Sequence, residues 1–371
     1  MSWLFAGLRF IVFLLIVLLA IATFLPLIDI DSWWVRFLSF PRIQFLYALV
    51  ALFLLTLALP RRFRLVGALS ILIALGAIAY QFSVLAPYSV IVAPQALTAH
   101  SCPEGNQLKL LEVNLKMTNE RDRRLFDEID RNNPDVIFVQ ELDDWWASQF
   151  AQLHGKYPYF KQHAPQDSYG LELLSRYRLV DPQIIFPAGS HDPAVIAGVV
   201  LPAGETIVFN GVNPRPPVFG QSSAERDAEL MDVALRMNEQ NAASVIAGDF
   251  SATPWTAVVR RTARLGRLLD PRIGRGMYPT WKANAIVRRW PLDNVLFADK
   301  FTLLGFRVLP PFGSDHQPTL TTVCYAPEAA RLQTAPQPTS EDFAVARRSV
   351  AASKAVPSPV PKPEKEEPEP Q

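Results

Sequence analysis

Acidic and amide side chains recur at the ends of the short apolar runs after residue 107 of this sequence. They are Asn114 in LLEVNLK, Glu141 in DVIFVQE, Asp249 in GDFSATPW, Asp293 in PLDNVLF, and Asp315 and His316 in GSDHQP. Taken singly, such residues favour strand ends because their side chains bond to local backbone groups. As a set, several carboxylates with one histidine can build an oxygen-ligand site of the type that binds Mg²⁺.

The elements that would position these residues follow an α/β pattern. Apolar runs predict strands, and spaced apolar residues predict helices at Leu125 to Ile129 and at Ser223 to Asn238. The predicted strands are 108–115, 136–139, 171–174, 195–201, 207–212, 244–247, 295–297 and 320–324. Strands with interspersed helices indicate one layered α/β domain at 107–325.

The chain has 371 residues, of which 50% are hydrophobic, and much of the excess lies in its first quarter. The runs Phe10 to Ile28, Ile43 to Pro60 and Leu65 to Ala86 contain no charged residue. Each is about long enough to cross a ~30 Å hydrocarbon core as a helix. Residues 1–86 are therefore predicted to be a membrane anchor with three transmembrane helices. The alternative for the first run is a cleaved signal peptide, because Ala20-Ile21-Ala22 fits a small-residue cleavage site.

Arginines in the short loops predict the orientation of this anchor. The loop between the second and third runs carries Arg61, Arg62 and Arg64 and no acid, whereas the loop between the first and second mixes basic and acidic residues. Basic loops stay in the cytoplasm, so the domain that follows is predicted to lie on the outer side of the membrane. The net charge of +1 indicates no particular partner.

Two further segments flank the predicted domain. Residues 87–106 contain prolines without clear periodicity and are predicted to be a linker. Residues 326–371 are predicted to be a disordered tail, because the last stretch is almost wholly Pro, Lys and Glu. Cys102 and Cys324 lie next to the first and last predicted strands. An oxidising compartment would permit a disulfide between them, and two unpaired buried thiols are the alternative.

The ordered motifs resemble those of the endonuclease/exonuclease/phosphatase superfamily, the group with the deoxyribonuclease I-like fold. The matching segments are LLEVNLK, PDVIFVQE, YGLELLSR, VNPRPP, GDFSATPW, PLDNVLF and GSDHQP. The best match is to its bacterial membrane-anchored branch, whose members also begin with hydrophobic spans. The resemblance implies a four-layer α/β/β/α sandwich preceded by three transmembrane helices. These helices would anchor the chain in the bacterial inner membrane, with the sandwich on the periplasmic or extracellular side. The resemblance also implies a divalent-metal-dependent phosphoester hydrolase.

The resemblance further implies roles for individual residues. Glu141 corresponds to the main ligand of Mg²⁺ or Mn²⁺, with Asn114 and Asp315 beside it. Asp249 corresponds to the residue that orients or deprotonates the attacking water. The remaining two are His316, which would contact the scissile phosphate, and Asp293, which would support that histidine.

Three positions depart from the family's usual pattern. Asn213 and Asn294 stand where histidine is common in this branch, and Ser251 stands where asparagine is usual. Asn213 can donate only as a neutral amide, and Ser251 has one hydroxyl donor instead of two amide donors. Losing one oriented donor can reduce the rate by about 10²–10³.

Three functions remain open at this point. The first is a hydrolase whose substrate is a nucleic acid, a phospholipid or a small phosphoester. The second is a catalytically impaired relative that binds phosphorylated ligands or proteins, for which Asn213 and Ser251 are the reason. The third is a membrane protein whose domain serves as a scaffold. The sequence identifies no protein partner.

Overall fold

The computed structural model describes residues 2–28, 30–59, 64–115, 122–163, 169–217 and 222–355. The helices are α1 (Ser2–Phe24), α2 (Trp33–Phe37), α3 (Arg42–Ala58), α4 (Arg64–Leu85), α5 (Arg124–Asn132), α6 (Asp144–Phe150), α7 (Ala224–Gln240), α8 (Ala257–Leu265) and α9 (Ser340–Ala355). The strands are β1 (Gln107–Asn114), β2 (Val136–Leu142), β3 (Tyr159–His163), β4 (Gly170–Ser175), β5 (Leu179–Ile185), β6 (Ala194–Val200), β7 (Thr206–Gly211), β8 (Ser244–Asp249), β9 (Leu268–Leu269), β10 (Asp293–Ala298), β11 (Phe301–Val308) and β12 (Thr319–Tyr325).

The strands form two six-stranded sheets. The first has the order β11-β12-β1-β2-β4-β3, and the second has the order β5-β6-β7-β8-β10-β9. Each sheet contains one parallel pair, β1 with β2 and β7 with β8. A helix, α5 or α7, lies between the two parallel strands in the chain, as a parallel crossover requires. The mixed α/β architecture predicted from the sequence is confirmed.

The alternation of side chains along the central strands explains the layers. In β1, Leu108 and Leu110 belong to the apolar core between the two sheets, whereas Leu111 and Val113 belong to the core beneath α5 and α6. The outer face of the second sheet packs in the same way under α7 and α8. The result is a helix, sheet, sheet, helix stack, consistent with the predicted sandwich.

The eight predicted strands are all present, but four further strands were not predicted. These four, β3, β5, β9 and β11, are the edge strands of the two sheets. β5 contains Pro182 and a shift in register, and β11 has a shift next to Gly305. Proline and irregular pairing are tolerated at edges, and they break the apolar alternation by which strands are recognised.

The apolar N-terminal runs form helices, but only part of the three-span prediction is supported. Within the described residues, Phe5–Leu27 and Leu65–Tyr88 are long and apolar enough to cross a membrane. The middle helix α3 has 17 residues and falls short of that length. At 1.5 Å per residue it spans about 25 Å, less than a typical hydrocarbon core.

The predicted linker at 87–106 packs along the sandwich. The backbone N–H of Gly274 donates to the carbonyl of Pro87 at 2.8 Å, and that of Ala99 donates to Leu303 in β11 at 2.9 Å. The hydroxyl of Tyr88 donates to the carbonyl of Pro254 at 3.0 Å. The apolar helices are therefore docked directly on the domain.

The prediction of a disordered tail at 326–371 is wrong for its first part. A short 3-10 helix and α9 are ordered there, and the carboxylate of Asp342 accepts two hydrogen bonds from the guanidinium of Arg264 at 2.8 and 2.6 Å. Ala346 and Val350 are buried against α7. The composition of the last residues concealed this helix. The stretch 356–371 lies outside the described residues.

The two cysteines form a disulfide, which decides between the alternatives left by the sequence. Cys102 and Cys324 are bonded, with 5.6 Å between their Cα atoms and 222 positions between them in the chain. The bond joins the segment before β1 to the end of β12. It thereby closes nearly the whole sandwich into one covalent loop.

Reduction of this disulfide is expected to destabilise the domain. In chain-entropy terms, opening a loop of this length removes about 4–5 kcal/mol from the free energy of unfolding. Thermal unfolding of the full chain in detergent, with and without dithiothreitol, measures the effect. Cys102→Ser provides the control, because reductant should no longer lower its midpoint. An unchanged midpoint for the wild-type chain under reducing conditions would contradict the prediction.

Candidate active site

The predicted site residues meet at one end of the sandwich, where strands of both sheets end. Asp249 is the last residue of β8 and Asp293 the first of β10, and the two are direct partners in the antiparallel register. Both continue the face that Val245, Ala247 and Val295 present to the inter-sheet core. Side-chain alternation therefore directs both carboxylates into the space between the sheets.

His316 lies between these two carboxylates. Its Nδ1 atom is 2.8 Å from Oδ2 and 3.1 Å from Oδ1 of Asp293, and its Nε2 atom is 3.7 Å from Oδ2 of Asp249. All three side chains are buried. The Oγ atom of Ser314 accepts the backbone N–H of His316 at 3.0 Å, which fixes the loop that carries the ring.

Burial and mutual charge set the protonation of this group. Burial raises the pKa of Asp249 to about 7, an effect that His316 opposes and that Asp293 and Glu141 reinforce. For His316, burial lowers the pKa, but Asp293 and Asp249 outweigh it and raise the value to about 10. At neutral pH the ring is therefore an imidazolium, which donates from both nitrogens.

Glu141 owes its position to a β-bulge. The register of β2 with β4 shifts between Gln140 and Leu142, and Glu141 adopts a positive φ of 57°. A bulge turns one side chain away from the strand's regular alternation. As a result, Oε1 of Glu141 accepts a hydrogen bond of 2.9 Å from Nδ2 of Asn114 at the end of β1.

A buried polar pair beneath the site, Gln140 and Glu112, had no role predicted from the sequence. Nε2 of Gln140 donates to Oε1 of Glu112 at 2.5 Å, and Oε1 of Gln140 accepts the backbone N–H of Asp249 at 2.7 Å. Thr319 donates to the other oxygen of Glu112 at 2.9 Å. Burial, followed by the charge of Asp293, raises the pKa of Glu112 well above its usual range. The available signal was an acid two residues after Leu110, on the side of β1 that Leu108 and Leu110 present to the core.

The two unusual positions, Asn213 and Ser251, are next to each other. The backbone N–H of Ser251 donates to Oδ1 of Asp249 at 2.7 Å, and its hydroxyl donates to the carbonyl of Pro214 at 3.2 Å. Asn213 is buried, and its Nδ2 atom has no hydrogen-bond partner among the residues that the structure describes. A buried amide without a partner is costly, so a ligand atom at this position would be stabilised by it.

Asp315 and Asn294 differ in whether their side chains lie at the site. Asp315 is half-buried at the mouth of the site, where Oδ2 accepts the indole N–H of Trp281 at 3.1 Å. Asn294 lies on the opposite face of β10, and its Oδ1 accepts a hydrogen bond of 2.7 Å from Arg272. The side chain of Asn294 is therefore not part of the candidate active site.

Two sets of side chains have ligand atoms that suit a metal ion. Ligand atoms of Asp249, Asp293 and His316 lie within 4.8 Å of one another. However, an imidazolium whose Nδ1–H is held by Asp293 has no lone pair to offer, so this set is better suited to proton transfer. The carboxylate of Glu141 and the amide of Asn114 offer the oxygen donors that Mg²⁺ and Mn²⁺ prefer, and the surrounding buried carboxylates favour a cation.

The sequence profile of the Endonuclease/Exonuclease/phosphatase family matches residues 111–316, which is more than half of the chain. This range runs from β1 to His316 and so contains each of the predicted site residues. No curated protein sequence matches the chain significantly.

Solved structures of low sequence identity share the fold. Humanized D. rerio TDP2 with 14 mutations is 20% identical, with a TM-score of 0.51, and the match covers 59% of this chain and 99% of that one. D. rerio TDP2 complexed with a single-strand DNA product is 19% identical, with a TM-score of 0.50, covering 58% and 98%. The human Nocturnin catalytic domain with bound sulfate is 15% identical, with a TM-score of 0.50, covering 63% and 100%. With the strand topology and the profile match, these findings establish that the chain belongs to the Endonuclease/Exonuclease/phosphatase family.

Proposed function

We propose that this protein is a membrane-anchored phosphoester hydrolase that depends on Mg²⁺ or Mn²⁺. The observation that carries the proposal is the position of His316, held through Nδ1 by Asp293 and facing Asp249 through Nε2. Members of the family hydrolyse phosphoesters, and TDP2 binds a DNA product in one solved structure. The proposed substrate is a phosphorylated molecule attacked by water.

The buried cluster supplies the proton transfers. The oxygen of a water molecule bonds to phosphorus, the ester P–O bond breaks, and the departing oxygen takes a proton. In its ionised form, Asp249 is the group that orients the water and accepts its proton. The His316 imidazolium donates a hydrogen bond to a phosphoryl oxygen, where negative charge builds up, and Asp293 holds the ring in the required orientation.

Glu141, Asn114 and Asp315 are the residues that would hold the metal ion. When bound, the ion supplies positive charge that offsets the negative charge of the phosphoryl group. Glu141 and Asn114 are already joined by a hydrogen bond, so that the donors are oriented before binding. Trp281 similarly orients Asp315.

The proposed location is the inner membrane of a bacterium, with the sandwich on the periplasmic or extracellular side. The docked domain contacts the segment before α3 at Ser39, the first turn of α3 at Gln44 and the residues just after α4 at Tyr88. The loop with Arg61 and Arg62 connects the other ends of α3 and α4. A disulfide also suits an oxidising outer compartment. In this proposal α3 crosses the bilayer together with the two longer helices.

A second candidate function is a phospho-ligand binding module with little or no turnover. The hydroxyl of Ser251 is bonded to the Pro214 carbonyl, which favours this alternative because asparagine would extend further toward the site. The unpartnered Nδ2 of Asn213 provides a donor for a bound anion. Binding of phosphate without turnover of any phosphoester would favour the module over the hydrolase.

Replacement of Glu141 is expected to separate these two functions. Glu141→Gln keeps the shape of the side chain but removes its charge, and hydrolysis of bis(4-nitrophenyl) phosphate with Mg²⁺ should fall by about 10²-fold or more. Asp144→Asn, an exposed carboxylate three residues away, is the matched control and should retain full activity. Turnover that is insensitive to EDTA, or equal in Glu141→Gln and wild type, would exclude the proposed site.

The pH dependence of hydrolysis is expected to follow the two shifted pKa values. Asp249 must be ionised to accept a proton, so the rate should rise with pH through about 7. His316 must be protonated to donate, so the rate should fall as pH approaches about 10. A pH profile of kcat/KM at saturating Mg²⁺ measures both limbs. A profile that is flat across neutral pH would contradict the assigned role of Asp249.

Reporter fusions test on which side of the membrane the sandwich lies. Alkaline phosphatase fused after Gln371 is expected to be active, because this reporter folds only outside the cytoplasm. The same reporter fused after Leu59, at the end of α3, should be inactive, since that end would face the cytoplasm. The reverse pattern would place the sandwich in the cytoplasm and overturn the proposed location.

A further inference from the structure

A hairpin at residues 281–290 connects the candidate active site to the apolar helices. At its base, the backbone N–H of Ala283 donates to the carbonyl of Asp315 at 2.7 Å. The neighbouring N–H of Gln317 donates to the carbonyl of Thr280 at 3.0 Å. The base of this hairpin is therefore bonded on both sides of His316.

The other end of the 281–290 hairpin reaches the first turn of an apolar helix. Nε2 of Gln44 donates to the carbonyl of Val287 at 2.6 Å. Gln44 is the third residue of α3, which begins at Arg42. If α3 enters a bilayer, the tip of the hairpin lies at the boundary between headgroups and hydrocarbon.

The composition of this tip suits such a boundary. Ile286 is 97% exposed and Val287 is 66% exposed, although both are large apolar side chains. Lys282 and Arg288 are exposed on the flanks. An apolar tip between cations is the pattern expected where a loop enters the headgroup region and meets anionic lipids.

Residues on both sides of the site contact the segment between α1 and α3. The indole N–H of Trp255, in the loop after Asp249, donates to the carbonyl of Ser39 at 2.6 Å. On the other side, Trp281 stacks on Trp290 with ring centroids 5.3 Å apart. Trp290 in turn packs against the rings of two residues of that segment, Phe37 and Phe40.

We infer that the substrate is a phosphoester carried on a membrane lipid, and that the tip of the 281–290 hairpin enters the leaflet from which this headgroup is drawn. The inference rests on the hydrolase activity and the membrane anchorage proposed above. Hydrolysis of a lipid phosphomonoester would yield the lipid alcohol and inorganic phosphate. Hydrolysis of a diester would yield an alcohol and a phosphomonoester.

The surroundings favour a lipid over a nucleic acid. The site lies beside the ends of the apolar helices, so a long polyanion would have to lie along the bilayer surface to reach it. An anionic membrane surface repels such a chain. A lipid headgroup reaches the same place by lateral diffusion, and the exposed Lys282 and Arg288 attract it.

Membrane contact can be measured without activity. Because both native cysteines are paired in the disulfide, Ile286→Cys introduces one reactive thiol for an environment-sensitive nitrobenzoxadiazole label. Label at 286 should be quenched in vesicles of phosphatidylcholine that carry a doxyl group. Leu332→Cys is the matched control, since Leu332 is 77% exposed and adjoins the Gln333–Phe301 contact at the far end of β11. Equal quenching at both positions, or none at 286, would overturn the membrane contact.

Substrate class is measured with the full chain in phosphatidylcholine vesicles containing Mg²⁺ and either phosphatidic acid or phosphatidylglycerol. Each lipid is compared with its soluble headgroup, glycerol 3-phosphate or glycerophosphoglycerol, and with single-stranded DNA. We expect at least one lipid to be preferred over its soluble headgroup by about tenfold or more. The double variant Ile286→Asp with Val287→Asp should lower lipid turnover by roughly tenfold, because charge disfavours entry into the leaflet. Leu332→Asp should not change it.

The possible results distinguish a wrong lipid assignment from a wrong assignment of hydrolase activity. Turnover of bis(4-nitrophenyl) phosphate or DNA without preference for either lipid would overturn the lipid assignment and leave the hydrolase intact. Lipid turnover that is unchanged in the double variant would overturn the role of the hairpin tip. If no phosphoester at all is hydrolysed, both the hydrolase and its lipid substrate are excluded.

Discussion

The side chain of Gln140 joins the two sheets at the point where the site is built. Apolar contacts between sheets carry no direction, so they fill the core without fixing how the ends align. Gln140 adds direction, because its amide donates to Glu112 in its own sheet and accepts the backbone N–H of Asp249 from the other. A Cβ atom on Gly248 would lie 3.0 Å from Oε1 of Gln140 and 1.9 Å from the carbonyl oxygen of Val212 in the same sheet, and the backbone φ there is +140°. Glycine is therefore required beside this link.

The sequence was sufficient to find the residues that end or begin apolar runs. Asp249, Asp293 and His316 could be predicted as one group because strand ends gather at the edges of sheets and because the motifs occur in a family's order. The same reasoning placed Gln140 at a strand end without a role and did not reach Glu112, although both lie inside strands. Their role depends on which residue of the other sheet faces them, and strand order and register are long-range properties. The bulge that turns Glu141 toward Asn114 is equally invisible in the pattern of apolar residues.

The parts of the fold that escaped prediction share a physical cause. Edge strands such as β5 and β11 are partly exposed, so polar residues and irregular pairing are tolerated there. The alternation of apolar and polar residues by which a strand is predicted is therefore lost. Most apolar residues of helix α9 are alanines, and its order depends on docking against α7 and on the pairing of Asp342 with Arg264. Likewise, the contacts between the apolar helices and the sandwich join residues far apart in the chain. Composition alone predicts none of these features, because it carries no information on which distant residues come into contact.

The disulfide between Cys102 and Cys324 has a consequence for resistance to proteases. Every loop between these residues lies inside the covalent ring, so a single cut in any of them leaves both fragments attached to each other and to the helices before residue 102. A cut after Cys324 removes at most the C-terminal segment with α9. Two cuts would be needed to release a piece of the sandwich that carries site residues. In a compartment that contains extracellular or periplasmic proteases, a nicked molecule can therefore keep its two sheets, and its active site, together.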